Sequence, residues 1–105
     1  MKERSHAFKI ITAREASDLI NNDNVTILDI RDEDSFLQGH IPNAINLSNN
    51  NIDEVINNSD RKHNILIYCY KGISSQSVAQ HFCDLGYKNI FSLEGGFTAF
   101  SDKSD

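Results

Sequence analysis

The sequence predicts an α/β domain of three layers, with a central parallel sheet of about five strands flanked by helices on both faces. Three observations carry this expectation. Short apolar runs alternate along the chain with segments of helical period, the pattern of successive βαβ units. The runs VTILDI (Val25 to Ile30) and NILIYC (Asn64 to Cys69) are almost continuously apolar, as strands covered on both faces are. At 105 residues, 39% hydrophobic and 24% charged, the chain suits one ordinary core, and no internal repeat or linker divides it. One domain is expected over 1–105, with a core at about 8–100 and frayed ends at 1–7 and 101–105.

The first strand is FKIIT, starting at Phe8. Thr12 followed three residues later by Glu15 forms a capping box, which opens a helix with apolar positions at Ala16, Leu19 and Ile20. The polar run from Asn21 to Asn24 stops that helix, and Val25 to Ile30 forms an interior strand. A short helical turn over Asp34 to Leu37 should stop at Gly39, with Pro42 fixing the approach to a small strand at Ala44 to Leu47. In the Asn-rich stretch after it, Ile52, Val55 and Ile56 fall at i, i+3 and i+4 with acids in the first turn, so a surface helix is favoured over a linker. The next strand ends at Cys69, and a helix follows from Ser74 to Leu85 with Gly86 as its stop. A last strand at Asn89 to Leu93 and a Gly95–Gly96 turn lead into a terminal helix.

A net charge of −5 with dispersed lysines and arginines excludes the basic stripe of a nucleic-acid binder. MKERSHAFKI is followed by no apolar run long enough for a signal peptide or membrane span, so a cytoplasmic protein is expected. Two cysteines, Cys69 and Cys83, match neither zinc-ligand spacing nor a C-x-x-C pair, so neither metal nor cofactor is expected. Cys83 lies nine residues along the helix from Ser74, roughly 13 Å at about 1.5 Å per residue. That is too far for a disulfide to Cys69, which needs Cα atoms within about 7 Å, and both should be free thiols. Cys83, beside Ala79 and Phe82, reads as core packing.

Cys69 falls at the carboxyl end of a central strand, where open parallel sheets bind their ligands. The loop CYKGIS carries Gly72, which permits unusual dihedrals, and delivers the chain into a helix N-terminus. Its N–H groups can converge on the sulfur; the helix dipole and Lys71 also favour a thiolate. Ionisation alone gains little, because nucleophilicity falls with thiol pKa at a slope of about 0.4–0.5. Holding an anionic substrate or intermediate is the stronger reason for such a loop. Read from position alone, Cys69 is equally a nucleophile and a buried thiol ending a core strand. A phosphatase loop would place arginine six residues after the cysteine to grip phosphate through two hydrogen bonds; Ser75 stands there, and no arginine lies between Tyr70 and Phe82.

The elements DIRDEDSFLQGHIPNAINL, YCYKGISS and LEGGFTAF, in this order and spacing, resemble a rhodanese domain, most like the single-domain GlpE-type thiosulfate sulfurtransferases. The resemblance runs from Phe8 to about Phe100, with departures at Phe100, where the family usually carries Trp, and at Ser74, where arginine is common. It implies that Cys69 is the nucleophile. The thiolate takes the outer sulfur of thiosulfate, releases sulfite and holds a persulfide, which cyanide or a thiol acceptor discharges. Partners implied are a small anionic sulfur donor and a thiol acceptor, thioredoxin or another protein among the candidates. The alternative class is a non-catalytic or sulfur-relay rhodanese-like module acting on a protein partner.

Lys71, the only cation in the loop, is assigned to substrate attraction over a merely solvated charge. Ser74 and Ser75 are N-cap residues, hydroxyl donors to the persulfide, or both. Gly72 and Ile73 complete the substrate loop, and Tyr70 is left open between a pocket wall and an exposed aromatic. Asp29 and Arg31, at the same sheet edge, are expected to pair structurally. His40 reads as a hydrogen-bonded structural histidine, and Gly95 and Gly96 as a tight turn near the pocket.

Overall fold

In the computed structural model, which describes residues 7–22 and 24–102, the elements run β1 (Lys9–Ile11), α1 (Ala13–Asn22), β2 (Val25–Asp29), α2 (Glu33–Gln38), β3 (Ile45–Asn46), α3 (Ile52–Asn58), β4 (Asn64–Tyr68), α4 (Ser74–Asp84), β5 (Ile90–Leu93) and α5 (Gly96–Asp102). The five strands lie in the order β1-β5-β4-β2-β3, and every neighbouring pair is parallel. Each predicted element is present: the strands and α4 are shorter than expected by a residue or two, α2 is longer by one residue at each end, α1 runs on through Asn21 and Asn22 where the polar run was expected to stop it, and α5 continues two residues past the expected core limit at Phe100.

Alternation along the strands makes the three layers. Ile65 and Ile67 of β4, Leu28 of β2 and Ile90 of β5 pack beneath Ala79, Phe82 and Cys83 of α4, with Ile52, Val55 and Ile56 of α3 joining that cluster. Ile27, Leu66, Tyr68 and Leu93 face the other way, onto Ala16 and Ile20 of α1 and Phe97 and Phe100 of α5. β4 is paired on both sides and covered on both faces, which accounts for its apolar run.

Local chemistry sets the boundaries. The capping box forms, with Thr12 N–H donating to Glu15 Oε1 at 2.8 Å and Glu15 N–H to Thr12 Oγ1 at 3.1 Å. Asp32 caps α2 by accepting from Ser35 N–H at 3.1 Å, and the Gly39 N–H closes it onto Ser35 and Phe36 carbonyls. Cys83 is fully packed in the α4 cluster and is a free thiol, as is Cys69. No helix of the described residues is long and apolar enough to cross a membrane.

Candidate active site

Cys69 is the first residue past β4, 5% exposed, with the loop to α4 folded over its sulfur. The N–H of Gly72 donates to Sγ at 3.2 Å and that of Ser75 at 3.3 Å. The thiol and the Ser75 hydroxyl lie 3.5 Å apart, and Ser75 Oγ lies 2.9 Å from Ser92 Oγ on β5. Burial pushes the Cys69 thiol up, but the Ser75 hydroxyl and the backbone N–H groups of Ser75, Gly72 and Lys71 outweigh it, and the net displacement is downward. The burial of Cys83 has no such opposition, and its thiol is pushed up, with Asp84 adding to the effect.

Backbone geometry shapes this cradle. Gly72 has φ 89° and packs so closely on the Gly95 turn that a Cβ would stand 2.8 Å from both Gly95 N and the Leu93 carbonyl oxygen. The Gln76 side chain holds the Gly72 carbonyl oxygen at 2.8 Å. Behind the loop, Phe97 N–H donates to the Cys69 carbonyl at 2.8 Å and Thr98 N–H to that of Tyr70 at 3.3 Å. The Gly95–Gly96 turn is thus a backbone clamp on the cysteine loop.

The capping expectation for the serines is corrected. Ile73 occupies the N-cap position with helical dihedrals and makes no side-chain cap bond; Ser74 is the exposed first residue of α4. The Ser75 N–H, which a cap would have taken, is directed at the sulfur instead. Lys71 is exposed at the loop surface, and Ile73 is 76% exposed beside it. Tyr70 is exposed at 47%, and its hydroxyl is held by Asp32 and, at 2.7 Å, by Ser35 Oγ. The bond from Tyr70, then those from Ser35, hold the Asp32 carboxyl down at about 2.

Asp29 and Arg31 form the structural pair. Arg31 Nη2 reaches Asp29 Oδ2 at 2.7 Å and its Nε reaches both carboxylate oxygens at 3.1 Å, while Nη2 also donates to the Gly39 carbonyl at 2.6 Å. The guanidinium lies 4.2 Å from the Phe97 ring centroid. Burial by itself would lower the Arg31 pKa, and the bonds and charge of Asp29 more than reverse that. The pair therefore joins α2, β2 and α5 around the site without touching the sulfur. Tyr68, whose hydroxyl accepts Ile41 N–H at 3.1 Å, completes this buried layer, its own ionisation pushed up by burial and by Asp29. His40 stacks on Phe36 with centroids 3.8 Å apart and bonds its carbonyl at 2.7 Å through Nδ1, a local structural role.

Sequence reasoning missed Ser92, Gln76, Asp32 and Tyr68. Ser92 left a signal: its neighbours Phe91 and Leu93 face the α1/α5 layer, so alternation turns a serine toward α4, where an unpaired hydroxyl is unfavourable. Among the described residues no group of three or more His, Cys, Asp or Glu side chains could hold a metal ion.

The arrangement can stabilise negative charge on a single sulfur by N–H and O–H donors, and among the described residues no imidazole or carboxylate is bonded to it. Its likeness to known proteins is extensive. The family model described as Rhodanese-like domain matches residues 12–103. A protein of Coxiella burnetii named thiosulfate sulfurtransferase GlpE is 44% identical over 90 residues, covering 86% of this chain and 84% of that one. A Shewanella oneidensis protein of the same name is 38% identical over 96 residues, covering 91% and 95%. The crystal structure of a rhodanese-like domain protein from Staphylococcus aureus superposes with a TM-score of 0.76 at 26% identity, covering 89% of this chain and 91% of that one. With the family's fold, a match over nearly its whole length and a cysteine loop closed over the end of the central strand, the chain belongs to the rhodanese-like domain family.

Proposed function

We propose that this chain is a thiosulfate sulfurtransferase that carries sulfane sulfur on Cys69. The observation that carries the reading is the convergence of two backbone N–H groups and one hydroxyl on Cys69 Sγ. In the first half-reaction the thiolate attacks the outer sulfur of thiosulfate. The S–S bond of thiosulfate breaks, sulfite leaves with the electron pair, and a Cys69 persulfide anion remains. In the second, an acceptor anion attacks the outer persulfide sulfur and the Cys69 thiolate departs: cyanide yields thiocyanate, and a thiolate yields a new persulfide. Each half exchanges one anion for another, so no general base is required, in keeping with a cradle of donors.

Lys71, exposed beside the loop, attracts the dianionic donor, and Gly72, Ile73, Ser74 and Ser75 line its approach with Tyr70 at the flank. The names of the relatives, thiosulfate sulfurtransferases, suggest the donor. A thiol, free or on a protein such as thioredoxin, is the acceptor in a cytoplasmic setting. The test is intact mass after incubation with thiosulfate. One added sulfur, removed by cyanide and absent in Cys69→Ser, is expected; an unlabelled wild-type protein that captures a specific partner would instead support a non-catalytic module.

A further inference from the structure

Beyond the Ser75 hydroxyl at the sulfur stands a second buried hydroxyl, that of Ser92, which the reaction as written does not use. Ser75 Oγ lies 3.5 Å from Cys69 Sγ and 2.9 Å from Ser92 Oγ; Ser75 is 0% and Ser92 1% exposed. Ser92 sits on β5, paired in register with Ile67 of β4, two residues before the loop's cysteine. It occupies the α4-facing side, where Ile90 is an ordinary core residue. A hydroxyl there displaces apolar packing and needs a partner. Among the described residues, the hydrogen-bond partner of Ser92 Oγ is Ser75 Oγ.

Two hydrogen orders run in a single direction along such a row of hydroxyls. With a protonated thiol, S–H donates to Ser75, Ser75 donates to Ser92, and the Ser92 hydrogen is left without an acceptor among the described residues. With the proton released to solvent, both rotors reverse: Ser92 donates to Ser75 and Ser75 donates to the sulfur anion, so both hydroxyl hydrogens are used. Lys71 is the cation of the same loop, and Asp29 and Arg31 neutralise each other on the opposite face of the sheet.

We propose that Ser92 is a positioning residue for the Cys69 reaction: it fixes the Ser75 hydroxyl as a donor to Sγ whenever that sulfur is anionic. This rests on the reading of Cys69 as sulfur carrier. Its effect falls on the two moments when charge sits on Sγ, the attacking thiolate and the thiolate leaving as the persulfide is discharged. Chains of hydrogen bonds polarise one another, so the second hydroxyl strengthens the first.

The experiment compares wild type, Ser92→Ala, Ser75→Ala, the double variant and Ser92→Thr. It measures the pH midpoint of Cys69 alkylation by iodoacetamide, located by peptide mass, and the single-turnover discharge of the preformed persulfide by cyanide. Ser92→Ala should move the midpoint upward and slow discharge by about threefold or more. The double variant should add little to Ser75→Ala alone, because the hydroxyls act in series. Ser92→Thr, which keeps a hydroxyl, should restore the wild-type midpoint. A loss of thermal stability in Ser92→Ala with an unmoved midpoint, or additive effects in the double variant, overturns the proposal and leaves Cys69 as carrier intact. If wild type itself takes up no sulfur at Cys69, the reading beneath it fails instead.

Discussion

The backbone N–H of Phe97 donates to the Cys69 carbonyl oxygen at 2.8 Å, and Gly96 makes that approach possible. At Gly96 φ is 60°, and a Cβ there would stand 2.4 Å from the Tyr70 carbonyl oxygen and 2.5 Å from that of Cys69. Those atoms are backbone, so relief requires the loop itself to move.

Gly96→Ala should therefore injure activity more than the fold. The left-handed conformation alone costs alanine about 1–2 kcal/mol, and each kcal/mol lowers the melting temperature of a small domain by about 4–8 °C. Displacing the sulfur by an ångström can lower turnover by about a hundredfold. Thermal melts beside a thiosulfate–cyanide assay would separate the two, and a variant with wild-type turnover would show that the clamp is dispensable.

The buried Asp29–Arg31 pair makes an opposite prediction, a loss in stability first. Removing one partner strands the other charge away from water, which costs about 3–5 kcal/mol, whereas replacing both by apolar residues of similar volume is often neutral. Asp29→Ala should thus lower the urea midpoint sharply, and Asp29→Leu combined with Arg31→Met should recover much of it. If the double variant is as unstable as the single, the bond from Arg31 to the Gly39 carbonyl carries the stabilisation.

Most of the fold was legible because its signals are local or periodic: Thr12 and Glu15 announce α1, and the doubly covered strands announce themselves as unbroken apolar runs. The cysteine loop was legible as one contiguous segment, including its glycine. What escaped depends on contacts distant in sequence. Ser92 reaches Ser75 across 17 positions, and Tyr70 reaches Asp32 across 38, neither of which any local pattern encodes. The N-cap assignment failed for a related reason: serine propensity favours capping, but here Ser75 serves the sulfur, and the tertiary demand prevailed.

The two cysteines should separate cleanly by pH. Donors around Cys69 lower its pKa against burial, and burial raises that of Cys83, so alkylation of native protein should modify Cys69 below the ordinary thiol range and spare Cys83. The same shift is a stability statement. Between the lowered folded pKa and the ordinary value of about 8.5, the unfolded chain binds the extra proton, so stability rises with pH. The contribution is complete above the unfolded value and lost as pH falls through the folded one. Cys69→Ser cannot ionise, so the stability advantage of wild type over this variant should grow from pH 6 to pH 9 in urea titrations; a constant difference would contradict a stabilised thiolate.

Asp32 offers a spectroscopic check on Tyr70. Its carboxyl is held at about 2 chiefly by the Tyr70 hydroxyl, with Ser35 contributing two further bonds. Tyr70→Phe should raise the Asp32 midpoint in an NMR titration while leaving it below the usual carboxylate range, because the Ser35 bonds remain. A midpoint unmoved by the substitution would assign the depression to Ser35 alone.

Lys71 acts, on the proposed mechanism, through charge at a distance, and this gives its substitution a signature that loop damage would not share. The side chain is exposed, so its attraction for a dianion is mediated by high-dielectric solvent and amounts to about 1 kcal/mol per unit charge at roughly 4 Å. Lys71→Ala should raise the KM for thiosulfate several-fold at low ionic strength with little change in kcat. Because the screening length falls from about 10 Å at 0.1 M salt to about 3 Å at 1 M, wild type and variant should converge as salt is added. A KM ratio that persists at 1 M salt, or a fall in kcat, would assign Lys71 to direct contact or to loop geometry, since neither of those is screened in the same way.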